Sequence, residues 1–270
     1  MKSPGIKQYQ TKIMGVINAN EDSFFKNSRV NDYEALLRIE QMITDGANII
    51  DLGAVSSRPG SIAVSSKEEL SRAKPIIDLI YKNNIYNKID FSLDSFEPEV
   101  IKYALDKGFK IVNDITGLQN NEVCKVASSY DATVIIMHMQ NNPKDMQKKP
   151  TYNDIISDLD DFFLNRIEKA KSFGIKDIVL DVGIGFGKTL DHNIKLIQNL
   201  SAYKHFGYEL LIGASRKSMI DMITPSKIED RLAGTLAIHL ESIKNGASII
   251  RCHDVKEHFQ AIKVYEAISK

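Results

Sequence analysis

Eight short apolar runs, separated by longer segments with helical periodicity, constrain the fold of this chain more than any other feature. Several of the runs are almost continuously apolar, which is typical of parallel strands that are covered on both faces. The alternation of eight strands with eight helices over 270 residues predicts an α/β protein. The expected architecture is a (β/α)8 TIM barrel in which residues 1–270 form a single domain. The runs occupy residues 12–18, 48–53, 90–95, 110–115, 132–138, 177–183, 209–215 and 248–253.

Glycines close two of the helical segments. Residues 33–46 end in Gly46 and residues 154–174 end in Gly174, at positions where the end of a helix favours positive φ. The alternative fold is a doubly wound open sheet. Such a sheet usually has fewer strands at this length and often carries a G-x-G-x-x-G turn after its first strand, which this sequence lacks.

Composition argues against several classes of protein. Lys plus Arg equals Asp plus Glu, at 35 each, whereas a dedicated nucleic-acid or membrane-surface protein is usually more basic. The first residues lack the apolar region of a signal peptide, and no apolar run has the length of a membrane-spanning helix. The two cysteines, Cys124 and Cys252, do not form a disulfide framework, which favours the cytoplasm.

The segment "LDVGIGFGKT" at residues 180–189 is similar to a phosphate-binding P-loop. That motif requires a glycine five residues before its Gly-Lys-Thr, and this chain has Val182 there. Gly183 follows one residue too late. The segment therefore does not predict a nucleotide site.

Polar residues stand where each of the eight predicted strands ends. The carboxyl ends of barrel strands form one mouth, and chemistry is located there. One such residue is most often a cap or a turn group, but eight sets that converge require a shared polar partner. The residues are Asn18, Ser57, Arg58, Asp94, Asn113, Asp114, His138, Asp181, Ser215, Arg216, Lys217, Arg251 and His253.

These side chains suit a 2-amino-4-oxo heterocycle such as guanine or a pterin. A buried carboxylate at Asp181 accepts two parallel N–H bonds, Lys217 donates to a ring carbonyl, and Asn113 donates and accepts. Arg251 and His253 supply cationic or donor groups for a phosphate. Asn18 and the acidic residues after it offer oxygen ligands for Mg²⁺.

Eight blocks of the sequence resemble, in the same order, those of the dihydropteroate synthase family of folate biosynthesis. The resemblance implies a (β/α)8 transferase that joins 6-hydroxymethyl-7,8-dihydropterin diphosphate to p-aminobenzoate, releases pyrophosphate and uses Mg²⁺. It also implies a homodimer. Helices predicted at 231–246 and 257–268 carry enough apolar residues either to form its interface or to pack on the barrel, and the sequence favours neither alternative. The blocks extend over residues 13–265 and read "MGVINANEDSF", "GANIIDLGAVSSRPGS", "SLDSF", "IVNDITG", "IIMHMQNNPKDMQ", "LDVGIGFGKTLDHN", "GASRKS" and "RCHDVKE".

The resemblance also implies the role of each site residue. Lys188 and His138 are expected to be structural, the latter because apolar residues flank it. The implied pterin-binding residues are Asp94, Asn113, Met137, Asp181, Gly213 and Lys217. The implied pyrophosphate-binding residues are Asn18, Ser57, Arg251 and His253, with Asn18 also a metal ligand. The implied aminobenzoate-binding residues are Phe24, Arg58, Pro59, Phe186 and Ser215, and the implied catalytic residues are Asp94, Lys217, Arg251 and His253.

Two loops and one strand end depart from the family's pattern. Asn20 and Glu21 replace Thr-Pro in the first loop, Val55 replaces a glutamate in the second, and Val182 replaces a proline. These changes bear on the affinity for p-aminobenzoate and on the response to sulfonamides. Two other functions stay open: a pterin methyltransferase barrel, and a pterin-binding barrel that has lost turnover.

Overall fold

Eight parallel strands close into a barrel in sequence order, which confirms the predicted (β/α)8 fold. The computed structural model describes residues 11–19, 28–56, 64–142 and 144–269, with side chains from residue 33 onward in the second range. The strands are β1 (Lys12–Asn18), β2 (Ile49–Gly53), β3 (Asp90–Asp94), β4 (Ile111–Asp114), β5 (Thr133–Met137), β6 (Ile178–Asp181), β7 (Glu209–Ile212) and β8 (Ile249–Cys252).

Helices surround the barrel, and the described ranges contain nine rather than the eight predicted. The additional helix arises because the connection from β7 to β8 contains two helices, α7 and α8. Gly46 and Gly174 have φ of 100° and 85°, which confirms their predicted place just after helix ends. The helices are α1 (Ser28–Thr44), α2 (Ser66–Lys82), α3 (Pro98–Asp106), α4 (Asn121–Ser129), α5 (Ile155–Ser172), α6 (Leu190–Gln198), α7 (Ser218–Ile223), α8 (Leu232–Lys244) and α9 (Val255–Ile268).

Several strands end earlier than the apolar pattern predicted. β6 ends at Asp181 and β7 at Ile212, although the apolar runs continue. The apolar runs extend beyond the strands because Val182 and Ala214 are buried although they lie outside the strand pairing. His138, Ser215 and His253 therefore lie in the connections after their strands. Within the described ranges, no helix combines the length and hydrophobicity needed to cross a bilayer.

An apolar layer fills the inside of the barrel. Seven of the eight strands contribute one residue each to a buried cluster. Because side chains alternate between the two faces of a strand, the residue two positions further along points into the barrel one layer higher, towards the mouth. This layer is the floor on which the candidate site rests. It consists of Met14, Ile49, Ile111, Ile135, Val179, Leu211 and Ile249.

Candidate active site

The layer above the apolar floor is polar and contains most of the predicted pterin-binding residues. It follows from strand geometry, because each member lies two residues after a floor residue. The sequence predicted all of these residues for the site except Asp51. Six of the seven floor residues are followed in this way by the residues of the layer, and on β1 the corresponding position is the apolar Val16. The layer residues are Asp51, Asn113, Met137, Asp181, Gly213 and Arg251, of which Asp51, Asn113, Met137 and Asp181 are buried.

Arg251 lies at the centre of this layer and connects two carboxylates. Its Nε donates to Oδ2 of Asp51 at 2.6 Å and its terminal nitrogen NH2 donates to Oδ2 of Asp94 at 2.8 Å. A Cβ on Gly213 would lie 3.6 Å from Cβ of Arg251, so Gly213 packs against the arginine side chain. The predicted phosphate-binding arginine is therefore also the central cation of the site.

The charges of this cluster depend on one another. Burial raises the pKa of Asp94 to about 7, although Arg251 opposes this shift. Burial also disfavours the charge of Arg251, but Asp51 and Asp94 more than compensate and raise its pKa. Arg251 is thus permanently charged, whereas Asp94 changes protonation near neutral pH.

Asn113 approaches Asp51 from the opposite side. Its Nδ2 donates to Oδ2 of Asp51 at 3.1 Å, so one carboxylate oxygen serves both Asn113 and Arg251. Oδ1 of Asn113 is buried and has no hydrogen-bond partner among the described residues, and the same holds for Oδ1 of Asp51. Buried acceptors of this kind usually find a donor, so the site is suited to a ligand with N–H groups.

Asp181 begins the loop within residues 180–189, the segment whose sequence is similar to a P-loop. Its Oδ1 accepts a hydrogen bond from the backbone N–H of Gly183 at 2.8 Å. The backbone N–H of Gly185 donates to Oδ1 of Asn193, and Gln147 donates to the carbonyl of Gly185. Tyr152 donates to the carbonyl of Gly187 at 2.7 Å. These side chains hold the loop from outside and leave Oδ2 of Asp181 for other partners.

Gly183 is required by this geometry, and we expect Gly183→Ala to destabilise the fold. Its φ is +65° and an added Cβ would lie 2.0 Å from the carbonyl oxygen of His138. The left-handed backbone and the overlap together should lower the free energy of unfolding by about 2 kcal/mol. Gly207→Ala is the control, because φ is +78° there but nothing lies within 4 Å of the added Cβ. Urea unfolding compares them, and equal losses would mean that the overlap relaxes without cost.

Lys217 reaches the same loop from the β7 side. Its ammonium donates to the carbonyl oxygen of Ile184 and lies 4.5 Å from the centre of the Phe186 ring. Burial lowers the pKa of Lys217 to about 8, while Asp181 opposes the shift. Lys217 therefore interacts electrostatically with a predicted pterin residue, Asp181, and lies over the ring of a predicted aminobenzoate residue, Phe186.

His138 and Lys188, each of which was expected from the sequence to be structural, form a buried pair. Nζ of Lys188 lies 2.9 Å from Nδ1 of His138 and donates to the carbonyl oxygens of His138 and Phe186. Burial lowers the pKa of His138 to about 2, with Lys188 adding to the shift. Lys188 thus fastens the loop to β5, and its ammonium is engaged by protein groups.

His253 and Ser215 are joined at the ends of β7 and β8. The hydroxyl of Ser215 lies 2.9 Å from Nδ1 of His253 and also accepts from the backbone N–H of His253. Burial, with Arg251 nearby, lowers the pKa of His253 to about 4. This shift favours the neutral ring, so of the two roles that the sequence allowed for His253, cation or donor, we adopt the donor role. The tautomer in which Ser215 donates to Nδ1 carries its ring proton on Nε2, the ring nitrogen that faces away from Ser215.

Two of the polar strand-end residues stabilise loops: Asp114 its own, and Arg216 the connection after β8. Both oxygens of Asp114 accept hydrogen bonds from Thr116 and Leu118 within one turn. Arg216, at φ +56°, forms a bidentate pair with Asp254 at 2.7 and 3.0 Å. Neither side chain belongs to the polar layer.

Behind these loops, two buried histidines form a chain of hydrogen bonds. The backbone N–H of Ala214 donates to Nε2 of His239, whose Nδ1 lies 2.8 Å from Nε2 of His258. Nδ1 of His258 lies 2.6 Å from the carbonyl oxygen of Asp254. Burial lowers the pKa of both rings. The chain joins the connection after β7 to that after β8.

Asn18 ends β1 beside Asp94, one of the two carboxylates that Arg251 connects. It is in register with Gly53, and a Cβ on Gly53 would lie 3.5 Å from Oδ1 of Asn18 and 3.7 Å from Cβ of Asp94. In the described ranges, no group of three His, Cys, Asp or Glu side chains is arranged to hold a metal ion. Phe24, Ser57, Arg58 and Pro59, and the altered positions Asn20 and Glu21, lie outside the described residues.

Comparison with known proteins identifies the family. A family model described as pterin binding enzyme matches residues 14–253. The chain is 40% identical over 270 residues to the bifunctional dihydropteroate synthase/dihydropteroate reductase of Helicobacter pylori, covering 100% of this chain and 70% of that protein. The chain therefore belongs to the pterin binding enzyme family.

Comparison with solved structures identifies the kind of enzyme within this family. The dihydropteroate synthase of Yersinia pestis, in a sulfonamide drug complex, superposes with a TM-score of 0.90 at 36% identity, covering 96% of this chain and 94% of that one. The Clostridium difficile enzyme, in the presence of pteroic acid, gives a TM-score of 0.88 at 39% identity, with 96% and 97% covered. Within the family, the chain is a dihydropteroate synthase, a transferase of folate biosynthesis.

Sequence reasoning missed Asp51, Gln147 and Asn193. Gln147 supports the loop from a turn far away in the sequence, and Asn193 supports it from α6, the helix that follows the loop; hydrophobic periodicity reveals neither contact. Asp51 did carry a signal, because it interrupts the apolar run "NIIDLG". A charge inside a strand that is buried on both faces requires a buried partner.

Proposed function

We propose that the polar layer binds 6-hydroxymethyl-7,8-dihydropterin diphosphate and that p-aminobenzoate attacks it to give 7,8-dihydropteroate and pyrophosphate. The observation that carries this proposal is the set of buried hydrogen-bonding groups around Arg251, above an apolar floor. The relatives support it, because the Clostridium difficile structure was determined with pteroic acid. The Yersinia pestis complex suggests in addition that sulfonamides compete here.

The pterin ring lies between Asp181 and Asn113 in this proposal. Oδ2 of Asp181 accepts from the amidine-like edge, since Oδ1 is engaged by Gly183. Asn113 offers a free buried acceptor, and Lys217 donates to the ring carbonyl by exchanging its bond with Ile184. Met137, in register with Asp181, and Gly213 give the ring apolar and backbone surface.

Arg251 and His253 hold the diphosphate. Two nitrogens of Arg251 are engaged by Asp51 and Asp94, so its remaining amino group faces the leaving group together with Nε2 of His253. A fixed cation and a fixed donor stabilise charge that develops as the C–O bond breaks. The hydrogen bond to Asp94 limits the movement of Arg251. Ser57 is assigned to the diphosphate-binding residues by resemblance to the family.

Mg²⁺ suits this site as an ion that arrives with the diphosphate. Asn18 offers one amide oxygen, and Mg²⁺ commonly takes its other ligands from phosphates and water. When bound, the ion neutralises charge on the departing pyrophosphate. Asn18 would hold it at the end of β1, beside Gly53 and Asp94.

The aromatic amine binds against Phe186, Lys217 and Ser215 in this proposal. An aromatic amine attacks as a neutral nucleophile, so no strong general base is required. The groups that hold the pterin keep its methylene in place during attack, which reduces the entropy lost in the reaction. Phe24, Arg58 and Pro59 complete this part of the site by resemblance.

A coupled assay of pyrophosphate release tests the function. Release that requires both the pterin diphosphate and p-aminobenzoate supports the synthase. Binding of the pterin without release would indicate a barrel that has lost turnover. Release of no pyrophosphate, together with methyl transfer from a methylated pterin, would favour the methyltransferase alternative, which does not need the Arg251 and His253 pair.

Lys217 should give pterin binding a pH dependence. Its pKa of about 8 means that the ammonium loses its proton above that pH, and affinity for a ring carbonyl should then fall by up to about tenfold per pH unit. A hydrogen bond to the ligand raises the pKa of Lys217 in the complex. The affinity therefore stops falling once the pH exceeds this higher pKa. Calorimetry between about pH 7 and pH 9 measures the profile.

The control for this prediction is Lys217→Met, which should bind more weakly and lose the decline. Asp94, whose pKa is near 7, titrates in both proteins. The difference between the two profiles therefore isolates Lys217. Parallel profiles would remove Lys217 from the ring carbonyl.

We also propose a cytoplasmic homodimer. The interface would lie on α9 and the neighbouring face of α8. Phe259, Val264 and Ile268 of α9 are large apolar residues exposed to solvent, which subunit interfaces commonly cover. Sedimentation of the native chain and of Val264→Glu tests the homodimer. A native dimer should dissociate in the variant, whereas a native monomer would sediment like the variant.

A further inference from the structure

Asp51 is a fully buried carboxylate in the middle of the site, and the proposed reaction assigns it no ligand. It lies on β2, between Arg251 of β8 and Asn113 of β4. A single oxygen, Oδ2, is 2.6 Å from Nε of Arg251 and 3.1 Å from the amide of Asn113. The two neighbours are thus connected through one atom.

The chemistry of that atom fixes the orientation of the Asn113 side chain. Nε of Arg251 can only donate, so Oδ2 of Asp51 must accept. An amide group facing an accepting oxygen must present nitrogen, because an amide oxygen there would leave two acceptors opposed. Asn113 consequently turns Nδ2 towards Asp51 and Oδ1 away from it.

This orientation leaves Oδ1 of Asn113 buried and without a protein partner in the described residues. A buried amide oxygen is a demanding acceptor, since leaving it unpaired is costly. A ligand that places an N–H there satisfies it, whereas a ligand that places a carbonyl oxygen there meets repulsion. The reverse orientation of the amide would have the opposite preference.

We propose that Asp51 is a positioning residue that fixes the Asn113 amide and thereby makes the site select a ring with an amino group over the same ring with an oxo group. This inference rests on the proposed function, because it assumes that the ring contacts Asn113. In this proposal the ring contacts Oδ1 of Asn113, while Oδ2 of Asp51 is engaged by Arg251 and by the Asn113 amide. The effect of Asp51 passes through the orientation of its neighbour.

Binding of two ring ligands tests the proposal. The probes are 6-hydroxymethylpterin, with a 2-amino group, and the matching lumazine, with a 2-oxo group. Calorimetry gives the ratio of their dissociation constants for the native protein and for two variants of similar shape, Asp51→Leu and Asp51→Asn. We expect Asp51→Leu to reduce the preference for the amino ring by about tenfold, because Asn113 can then turn over.

Asp51→Asn is the conservative control. Its amide oxygen can take the place of Oδ2 and accept from Arg251, so Asn113 stays in position. The amino preference should remain within about twofold of the native value. A folded Asp51→Leu protein with an unchanged ratio overturns the proposal, as does an equal loss of the preference in both variants.

A mutant cycle shows whether Asp51 acts through Asn113. Asn113→Ala should reduce the amino preference by itself, and adding Asp51→Leu should then change the ratio no further. If Asp51→Leu does not fold, Asn113→Ala can still overturn the proposal. An unaltered ratio of dissociation constants in Asn113→Ala would show that Asn113 does not distinguish the two rings. A native protein that binds neither ring would count against the proposed function instead.

Discussion

Arg251→Ala should lower the free energy of unfolding by about 3–5 kcal/mol, because it removes the cation that joins two buried carboxylates. Asp51 is fully buried and Asp94 is nearly so, with side-chain exposures of 0% and 12%. Without the guanidinium the carboxylates repel each other, and the fold can relieve this only by taking up a proton. Urea unfolding at neutral pH measures the loss.

Lys110→Ala is the matched control for this prediction. Lys110 pairs with Asp90 at the opposite end of the barrel at 2.7 Å, a distance between the 2.6 and 2.8 Å of the two Arg251 pairs, but both side chains are about half exposed. Solvent screens such a pair, so its loss should change stability by less than about 1 kcal/mol. Equal losses at Arg251 and Lys110 would show that Asp51 and Asp94 are not dependent on the arginine.

Asp181→Asn should weaken binding of the pterin ring by about 100-fold with little change in stability. The new amide oxygen can keep the bond from Gly183, at 2.8 Å in the native chain. The amide nitrogen then replaces Oδ2 and meets the N–H groups of the ring, so two donors face each other. Calorimetry with 6-hydroxymethylpterin measures the change.

Asp114→Asn provides the comparison, because Asp114 is also a buried carboxylate near the end of a strand. Its three hydrogen bonds are all within its own turn. Its replacement should lower stability and leave ring affinity unaltered. Native affinity in Asp181→Asn would place the ring elsewhere in the barrel.

The fold was predictable from the sequence because its signal is repeated eight times. Strand spacing and the alternation of faces then determine which residues share a layer, so Asn113, Asp181 and Arg251 could be grouped without coordinates. This grouping depends on a period of two residues. A single shift in register would have placed the same side chains outside the barrel.

The pairing inside the layer could not be predicted. Sequence spacing brings Arg251, Asp94 and Asp181 into one region, but it does not show which carboxylate the guanidinium contacts. The lowered pKa of His253 could not be read from the sequence either, because it results from burial and from the nearby Arg251. Such properties arise from contacts between distant residues and from the exclusion of water.

The histidine chain behind the loops makes two positions dependent on each other. The backbone N–H of Ala214 can only donate, so the proton of His239 must lie on Nδ1 and that of His258 on its own Nδ1. Replacing one imidazole by an apolar side chain leaves an unmatched nitrogen on the other ring and one backbone group without its partner. Replacing both removes the unmatched ring nitrogen and leaves the N–H of Ala214 and the carbonyl of Asp254, so the second replacement costs less than the first. Among relatives of this chain, positions 239 and 258 should therefore change together, and a protein with one histidine alone should be the rarer kind.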